Sequence, residues 1–259
     1  MKIALFADIH SNYLVFKKAF ENTKNMNIDK YIFLGDYVTD GFDANKILDI
    51  IKSVDGYVIS GNREATIIDY HNNKNENWNK YIQTLPIYKI ITINDKKICI
   101  SHGAPYNVRE VVDKDSYDIF DKLIKDYNCD IYLFGHRHKY YCANYKGKYF
   151  INPGSIGLPT KGLPFKYGIL NITDKIEYEK MEINYEYKEL EDYYKNSDYY
   201  NKVTIWCSLL LEVFKSGENH IEKFMNFVQT KAKNSHIDIS NNIPDDLFVV
   251  AYNEYMKEL

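Results

Sequence analysis

The sequence has few cysteines and no long apolar run, and each of these absences excludes a class of protein. Its four cysteines, Cys99, Cys129, Cys142 and Cys207, are scattered over 259 residues without a Cys-x-x-Cys pair. This spacing argues against a disulfide scaffold or a zinc knuckle and fits a reducing compartment. No apolar run approaches the roughly 20 residues of a membrane-spanning helix. Because a strand-like run begins almost at residue 1, we also expect no signal peptide. These absences predict a cytoplasmic protein without a membrane partner.

A strongly basic character is missing as well. The 33 lysines and arginines are outnumbered by 36 aspartates and glutamates, which gives a net charge of −3. No global basic field therefore favours a nucleic-acid partner. Hydrophobic residues make up 45% of the chain, enough for a sizeable core, and the length suits one large α/β domain or a core with an extension. The sequence does not indicate an oligomeric state.

Short apolar runs alternate with helical patterns in the first sixty residues. Runs at 3–7, 31–34 and 57–59 predict strands, and periodic segments at 13–25 and 44–51 predict helices. This order predicts βαβ units and a largely parallel sheet. Later patterns follow the same rules. They predict a surface loop or helix end at 71–80, hairpins at 87–100 and 140–151, a helix at 117–127, and strands at 131–134, 167–172 and 176–183.

From about residue 187 the pattern becomes helical, and Pro244 lies near the start of the last predicted helix. We expect one domain over residues 1–183 and a helical C-terminal extension, packed on it, over residues 184–259. His220 and His236 lie in this extension but follow no predicted strand. We therefore expect neither histidine to bind a metal.

Polar side chains follow five predicted strands at the points where these strands end. The set is Asp8, His10, Asp36, Asn62, His102, His136 and His138, and it includes four of the seven histidines. Taken singly, Asp36 or Asn62 suits a turn, and His102 suits a satisfied core histidine. Together, oxygen and imidazole ligands without thiolates suit Mn²⁺, Fe or Zn²⁺. Seven ligands exceed the needs of one ion and indicate two ions that share a carboxylate.

The order and spacing of these motifs resemble those of the calcineurin-like metallophosphoesterases. The motifs are Asp8-Ile9-His10, Gly35-Asp36, Gly61-Asn62-Arg63-Glu64, Ser101-His102-Gly103 and Gly135-His136-Arg137-His138, followed by Asn152-Pro153-Gly154-Ser155. The resemblance covers about residues 1–183. The helical tail looks like that of small bacterial members of the family.

The resemblance implies an α/β fold, a four-layer α/β/β/α sandwich of two mixed sheets with a C-terminal helical extension. It implies two divalent ions, with Mn²⁺ preferred over Fe, Zn²⁺ or Mg²⁺. One ion would be held by Asp8, His10 and His138 and the other by Asn62, His102 and His136, with Asp36 bridging both. The family chemistry is that of a metal-dependent phosphohydrolase in which a hydroxide between the ions attacks phosphorus in line. The implied substrate is a small phosphodiester, phosphomonoester or nucleoside polyphosphate.

One position departs from the family pattern. Most members carry a histidine after the asparagine of the third motif, near the leaving group, and here the residue is Arg63. A guanidinium cannot deliver a proton at neutral pH, but it can clamp a phosphate with two hydrogen bonds. We therefore place Arg63 with Asp36 and His102 in the predicted catalytic set and also in the substrate-binding set. The alternative for Arg63 is a surface arginine paired with Glu64.

The departure also keeps open a second class of function, a non-catalytic scaffold that retains the fold and binds a protein partner.

Asn12 either contacts phosphate as a substrate-binding residue or caps the first helix, and the sequence does not separate these roles. Strand alternation turns Arg137 away from the predicted metal ligands. The loops at 39–42, 105–109 and 158–164 are predicted to form the pocket walls.

Overall fold

A computed structural model of the chain describes residues 1–70, 77–159, 164–240 and 242–259. The chain divides into two compact units, the first reaching Tyr185 and the second beginning at Glu186. The predicted loop or helix end at 71–80 falls outside the described residues for 71–76, and a helix begins at Asn77. None of the described helices combines the length and the apolar character needed to cross a membrane.

The described part of the first unit contains two mixed five-stranded sheets. Its strands are β1 (Lys2–Phe6), β2 (Lys30–Phe33), β3 (Gly56–Val58), β4 (Tyr88–Ile93), β5 (Lys96–Ser101), β6 (Ile131–Leu133), β7 (Tyr140–Tyr145), β8 (Lys148–Pro153), β9 (Phe165–Ile172) and β10 (Ile176–Ile183). The first sheet has the order β10-β9-β1-β2-β3 and the second has the order β4-β5-β6-β8-β7. The predicted fold class of two mixed sheets with helices is confirmed.

Helices follow the strands of the first unit. They are α1 (Tyr13–Thr23), α2 (Ala44–Ser53), α3 (Asn62–Tyr70), α4 (Asn77–Ile82) and α5 (Tyr117–Tyr127). β1, β2 and β3 are parallel to one another, as the βαβ pattern predicted, whereas β9 and β10 are antiparallel additions to the same sheet. Parallel pairing also joins β5 to β6 and β6 to β8.

The main core lies between the two sheets. Ile3 and Leu5 of β1 belong to one buried cluster with Ile98 and Ile100 of β5, so the sheets face each other through these side chains. The period of two along a strand sends the next side chain to the opposite face. Phe6 accordingly packs edge-on against Phe16 of α1, with ring centroids 5.4 Å apart.

A second cluster lies on the other face of the second sheet. Phe120 and Leu123 of α5 are fully buried there with Tyr132 of β6 and Phe150 of β8. The rings of Phe120 and Phe150 stack with centroids 3.8 Å apart. The apolar stripe of this amphipathic helix explains why the predicted bounds, 117–127, coincide with those of α5.

The second unit is helical throughout its regular structure in the described residues. Its helices are α6 (Tyr187–Lys195), α7 (Asp198–Lys202), α8 (Thr204–Ser216), α9 (His220–Asn234) and α10 (Asp245–Tyr255). Phe224 of α9 is fully buried and contacts Phe248 and Tyr255 of α10, with ring centroids 5.0 and 5.6 Å apart. The aromatic residues at helical spacing therefore form the packing of this unit.

The topology gathers the ends of five strands. Because β1, β2 and β3 are parallel, their carboxyl ends lie at one edge of the first sheet, and Asp8, Asp36 and Asn62 follow those ends. β5 and β6 are likewise parallel, and His102 and His136 follow them. The two facing sheets thus present polar side chains at their strand ends.

Candidate metal centre

Asp8, His10 and His138 form the first compact group of polar side chains. One potential ligand atom from each lies within 4.8 Å of the others. Asp8 Oδ1 is 3.4 Å from His138 Nε2, and the Nε2 atoms of His10 and His138 are 3.1 Å apart. Asp8 is fully buried and His10 nearly so. This is the set that the family resemblance assigned to one ion.

Asn62, His102 and His136 form the second group. Asn62 Oδ1 lies 3.0 Å from His102 Nε2 and 2.8 Å from His136 Nδ1. Asn62 is the first residue of α3, three residues after the end of β3, and its side-chain oxygen faces the two imidazoles. An amide oxygen and two ring nitrogens thus converge within hydrogen-bond distance.

Asp36 lies between the two groups. Its Oδ2 atom is 3.9 Å from His10 Nε2 and 3.4 Å from His102 Nε2. Asp8 Oδ1 is also 3.9 Å from His102 Nε2, so Asp8, Asp36 and His102 make a second set of potential metal ligands within 4.8 Å. The structure therefore brings all seven predicted ligand residues into one cluster, with the Asp36 carboxylate in its middle.

Three of the histidines are held by their outward ring nitrogens. An N–H that donates to an oxygen on one side of the ring leaves the other nitrogen as an acceptor, which is how metal-binding histidines are fixed in proteins. The contacts join His10 Nδ1 to Asp40 Oδ2 at 2.7 Å, His102 Nδ1 to the carbonyl of Leu34 at 2.6 Å, and His138 Nδ1 to the carbonyl of Leu158 at 3.2 Å. All three rings consequently present Nε2 to the cluster.

The backbone of the cluster is strained. Five of the seven ligand residues have a positive φ, a region that residues other than glycine rarely adopt: Asp8 (54°), His10 (48°), Asp36 (57°), His136 (64°) and His138 (56°). Each such residue costs about 1–3 kcal/mol unless its surroundings enforce the conformation. Strain of this kind is concentrated at functional sites in proteins.

Two glycines permit the close approach of these loops. A Cβ on Gly61 would lie 2.2 Å from Asp36 Oδ1, and one on Gly35 would lie 2.7 Å from His102 Nδ1. Gly35 also has a φ of +91°. Any side chain at either position would displace a carboxylate or an imidazole of the cluster.

Glu64 holds the loop that carries Asp36. It is fully buried, and its carboxylate accepts four backbone N–H groups. Oε2 accepts from Asp36 at 2.8 Å and from Gly61 at 2.7 Å, while Oε1 accepts from Tyr37 at 2.8 Å and Val38 at 3.2 Å. Burial and the nearby charge of Asp36 raise the pKa of Glu64 to about 7.

The charges of the cluster shift one another. Burial alone would raise the pKa of Asp36, but His102 and His10 outweigh it and hold that pKa well below the ordinary value. Burial likewise opposes the charge on His102, yet Asp36 and Asp8 raise its pKa to about 9. The pKa of His136 is lowered by burial and by His102. Mutually perturbed groups at the end of a sheet are typical of functional sites.

The cluster fits divalent cations. Among the described residues, Asp8 Oδ2 is a buried carboxylate oxygen without a hydrogen-bond partner, which is costly unless a cation or water satisfies it. The convergent atoms are carboxylate oxygens, one amide oxygen and imidazole nitrogens. This mixture without thiolates suits Mn²⁺, Fe or Zn²⁺, and divalent cations would offset the charges of the buried Asp8 and Asp36 carboxylates.

Arg63 lies beside the cluster. Its side chain is 40% exposed, and its Nη2 atom is 3.7 Å from Asp40 Oδ2, the oxygen that also accepts from His10. Its backbone N–H donates to Asp36 Oδ1 at 2.8 Å. The alternative pairing with Glu64 does not occur, because the Glu64 carboxylate is buried among backbone N–H groups.

Asn12 serves as the N-cap of α1. Its Oδ1 accepts from the N–H of Val15 at 3.4 Å and its Nδ2 donates to the carbonyl of Gly157 at 3.1 Å, and the residue is fully buried. Of the two roles that the sequence left open, the geometry supports capping.

The Arg137 side chain turns to Asp113, with Nε 2.9 Å from Oδ2. Of the predicted wall at 158–164, residues 160–163 lie outside the described residues.

The sequence did not single out two residues that support the candidate site, Asp40 and Glu64. Asp40 lay within a loop assigned only to the pocket wall, and Glu64 was considered only as a partner of Arg63. A usable signal for Glu64 was its position three residues after Gly61, because a carboxylate at that spacing can reach back to the N–H of a helix start. No comparable pattern marks Asp40.

Comparisons with known proteins agree with this geometry. The model of the calcineurin-like phosphoesterase superfamily domain matches residues 1–175. The match covers more than half of the chain, so this protein belongs to the calcineurin-like phosphoesterase family, and the resemblance drawn from the motifs is confirmed.

Two curated relatives come from Methanocaldococcus jannaschii. The uncharacterized protein MJ0912 is 28% identical over 221 residues, which cover 70% of this chain and 87% of the relative. Phosphodiesterase MJ0936 is 29% identical over 190 residues, which cover 70% of this chain and 98% of the relative.

Solved structures show the same fold. The hypothetical protein PH1004 from Pyrococcus horikoshii superimposes with a TM-score of 0.63 at 19% identity, over 78% of this chain and 96% of its own. A metallophosphoesterase from Sphaerobacter thermophilus superimposes with a TM-score of 0.60 at 17% identity, over 73% of this chain and 91% of its own.

Proposed function

We propose that this protein is a dinuclear metal-dependent phosphohydrolase that cleaves phosphoric ester or anhydride bonds. The observation that carries the proposal is the convergence of seven oxygen and nitrogen ligands at the ends of five strands, with three imidazoles fixed to present Nε2. Family membership and the relative named as a phosphodiesterase support it. A small phosphorylated compound is the substrate class that follows from this family.

The chain's residues divide the work. Asp8, His10 and His138 would hold one ion, Asn62, His102 and His136 the other, and Asp36 would be shared. When bound, two divalent ions supply an activated water and Lewis acidity toward phosphoryl oxygens. The Asp36 carboxylate would offset the repulsion between two cations, and its central place in the cluster fits this role. We propose Mn²⁺ as the preferred ion, with Fe, Zn²⁺ and Mg²⁺ as alternatives.

Arg63 determines which leaving groups are favoured. A departing alkoxide gains typically ~10²–10⁴-fold from a proton donor, whereas an aryl oxide or a departing phosphate gains little. The guanidinium cannot donate, but at 40% exposure beside Asn62 it can neutralise a phosphate. We therefore propose a preference for aryl esters and pyrophosphate-type bonds over alkyl phosphates.

Turnover of bis-p-nitrophenyl phosphate by the pure protein tests the proposed function. We expect hydrolysis with added Mn²⁺, none after chelation of metal, and none from an Asp36→Ala variant. Absence of hydrolysis with Mn²⁺ and each alternative ion would overturn the proposal and favour the non-catalytic scaffold with a protein partner.

The role of Arg63 has its own test. Arg63→Ala should lower kcat/KM for a dinucleoside polyphosphate more than for an aryl diester, and Arg63→His should raise kcat/KM for an alkyl diester. Equal losses on all three substrates in Arg63→Ala would show that Arg63 acts on a feature common to them, and the leaving-group account would be wrong.

A further inference from the structure

Arginine is rare in this chain, and its positions are not scattered. There are 30 lysines but three arginines, Arg63, Arg109 and Arg137. Arg63 follows a predicted metal ligand, Arg137 lies between two others, and Arg109 lies in the loop after β5. Lysine supplies the same charge, so charge alone does not explain arginine at these places. A guanidinium differs in its planar fork, which matches the oxygens of a phosphate or carboxylate.

The guanidinium of Arg137 already has a carboxylate partner, Asp113. Its Nε lies 2.9 Å from Asp113 Oδ2, and Lys139 Nζ lies 4.0 Å from the same oxygen. This pair ties the loop after β5 to the strand end that carries His136 and His138. The geometry therefore assigns Arg137 a structural contact and leaves Arg63 and Arg109 to be explained.

Arg109 reaches the helix that begins with Asn62. Its Nη2 donates to Thr66 Oγ1 at 2.7 Å, and Thr66 Oγ1 in turn donates to the carbonyl of Asn62 at 2.8 Å. A single hydroxyl thus separates the guanidinium of Arg109 from the backbone of a predicted metal ligand. Arg109 is exposed, and within the described parts of the chain no carboxylate forms an ion pair with it.

Arg63 lies on the same side of α3 as Thr66, the residue that Arg109 contacts. Arg63 and Thr66 are three residues apart on this helix, and residues at that spacing are neighbours on a helix surface. The first turn of α3 adds the positive end of the helix dipole. Arg63 is only loosely paired, since Asp40 Oδ2 is 3.7 Å away and already accepts from His10 at 2.7 Å.

We propose that Arg109, held on α3 by Thr66, forms with Arg63 a second phosphate-binding subsite beside the metal centre. The ligand that fits is a linear chain of two or more phosphates, with one phosphate at the seven-ligand cluster and the next between the two guanidinium groups. The inference rests on the proposed function for the first of these positions. It names Arg109 as a specificity-determining residue for polyphosphates.

A simpler role for Arg109 makes a different prediction. If the contact with Thr66 only attaches the loop to α3, replacing Arg109 lowers the stability of the protein and changes its affinity for all ligands by the same factor. If the subsite exists, the loss depends on the length of the phosphate chain. The ratio between a polyphosphate and a single phosphate therefore separates the two roles.

The test measures binding of tripolyphosphate, supplied as its non-hydrolysable methylene-bridged analogue, and of orthophosphate to the full-length protein by calorimetry, in saturating Mn²⁺. The variants are Arg109→Ala, Arg109→Lys and Thr66→Val, with Lys114→Ala as the matched control. Lys114 is an exposed lysine in the same loop, so its removal changes the net charge by the same amount. A nucleoside triphosphate in parallel distinguishes inorganic from nucleotide sources of the phosphate chain.

Arg109→Ala should weaken tripolyphosphate binding by about tenfold or more relative to orthophosphate, since hydrogen bonds to charged groups are the strong ones. Arg109→Lys should restore part of the loss, Thr66→Val should show a smaller loss, and Lys114→Ala should resemble wild type. Equal losses for both ligands in Arg109→Ala, or no loss, would overturn the subsite.

Binding also separates this inference from the proposed function. Wild-type protein that binds tripolyphosphate through Arg109 but does not hydrolyse an aryl diester would support the subsite and contradict the hydrolase. Wild-type protein that hydrolyses the diester while Arg109→Ala retains the full preference for tripolyphosphate would support the hydrolase and contradict the subsite.

Discussion

Buried histidines occur in both units of this molecule, and they differ in what their ring nitrogens face. In the first unit, the buried His10 and His102 and the partly buried His138 each give one nitrogen to an outer acceptor and turn Nε2 toward other ligand atoms. In the second unit, His220 is 4% exposed and has partners on both sides, Tyr255 Oη at 2.8 Å and Ser216 Oγ at 2.9 Å. Burial of a histidine therefore does not identify a site, whereas convergence of inward-facing nitrogens does.

The carboxylates sharpen this difference. The first unit buries Asp8, Asp36, Asp40 and Glu64 around its histidines. Within the described residues of the second unit, the buried polar residue is His220, and its partners are hydroxyl groups. Buried anions need a compensating charge or several hydrogen bonds. The first unit thus gathers candidate ligands for cations, whereas the second packs its histidine against hydroxyl groups.

The largest effect is expected at Asp36. Asp36→Ala should remove the shared ligand, abolish hydrolysis and reduce the bound metal at both positions, whereas His138→Ala should weaken mainly one ion. The loss of metal affinity should exceed the loss of about 10–100-fold that follows from removing a residue that only supports a ligand. Elemental analysis of the purified variants gives the stoichiometry. Two ions per chain in Asp36→Ala, as in wild type, would rule out the bridging role.

Loss of the Glu64 carboxylate should be the most destabilising change near the site. Glu64→Ala leaves four buried backbone N–H groups without their acceptor, and each unsatisfied group costs about 1–3 kcal/mol. Since water can enter the space, we expect a loss of at least about 3 kcal/mol, or roughly 6–12 °C in Tm. Thermal melting of the full-length protein measures it.

The controls for Glu64 are a conservative and a surface variant. Glu64→Gln keeps one acceptor oxygen and should lose roughly half as much stability. Glu177→Ala removes an exposed carboxylate on β10 and should change Tm little. A Tm for Glu64→Ala equal to that of Glu177→Ala would show that Glu64 does not stabilise the loop that carries Asp36.

Asp40 should tune the affinity for metal without supplying a ligand. Asp40→Ala removes the acceptor that orients His10, so the affinity for Mn²⁺ should fall by about 10–100-fold. Asp40→Asn retains an acceptor oxygen and should lose less. Asp55→Ala, which removes an exposed partner of Lys30, is the matched control. Calorimetric titration with Mn²⁺ measures these affinities. Equal affinities of Asp40→Ala and Asp55→Ala would show that Asp40 does not tune metal binding.

The smallest effect concerns His220 and acidity. Burial lowers the pKa of His220 below its ordinary value of 6.5. The unfolded chain therefore binds the proton more readily than the folded chain, and stability should fall as pH drops below about 6.5. Melting curves at pH 7.5 and 5.5 should show a larger loss for wild type than for His220→Gln. An identical loss in both would show that His220 is not buried in its neutral form.

Much of the fold could be predicted because its apolar patterns are regular. α5 matches its predicted bounds because one stripe faces the core and Asn128, in a left-handed conformation (φ 46°), ends the helix. α1 ends at Thr23, two residues before its predicted end, and Thr23 is its last buried residue. The mixed character of the first sheet depends on β9, which pairs antiparallel with β1 from the far end of the domain, and on β10, which pairs antiparallel with β9. Local periodicity does not encode such pairing.

The seven proposed ligands could be selected from sequence because each follows an apolar run, and parallel strands bring such positions together. The supporting residues could not be selected in this way. Asp40 meets His10 only because Thr39 and Asp40 both adopt positive φ, of 74° and 65°, which hydrophobic patterning does not predict. Glu64 acts through backbone N–H groups of a distant loop, and such a partnership appears only once the chain is folded.

The most direct test of the central claim is a calorimetric titration of Mn²⁺ into metal-stripped wild-type protein. We expect two ions per chain, with the same stoichiometry in His220→Gln, because all seven proposed ligands lie in the first unit. One ion per chain, no binding of Mn²⁺ or of the alternative ions, or loss of an ion in His220→Gln would contradict the account.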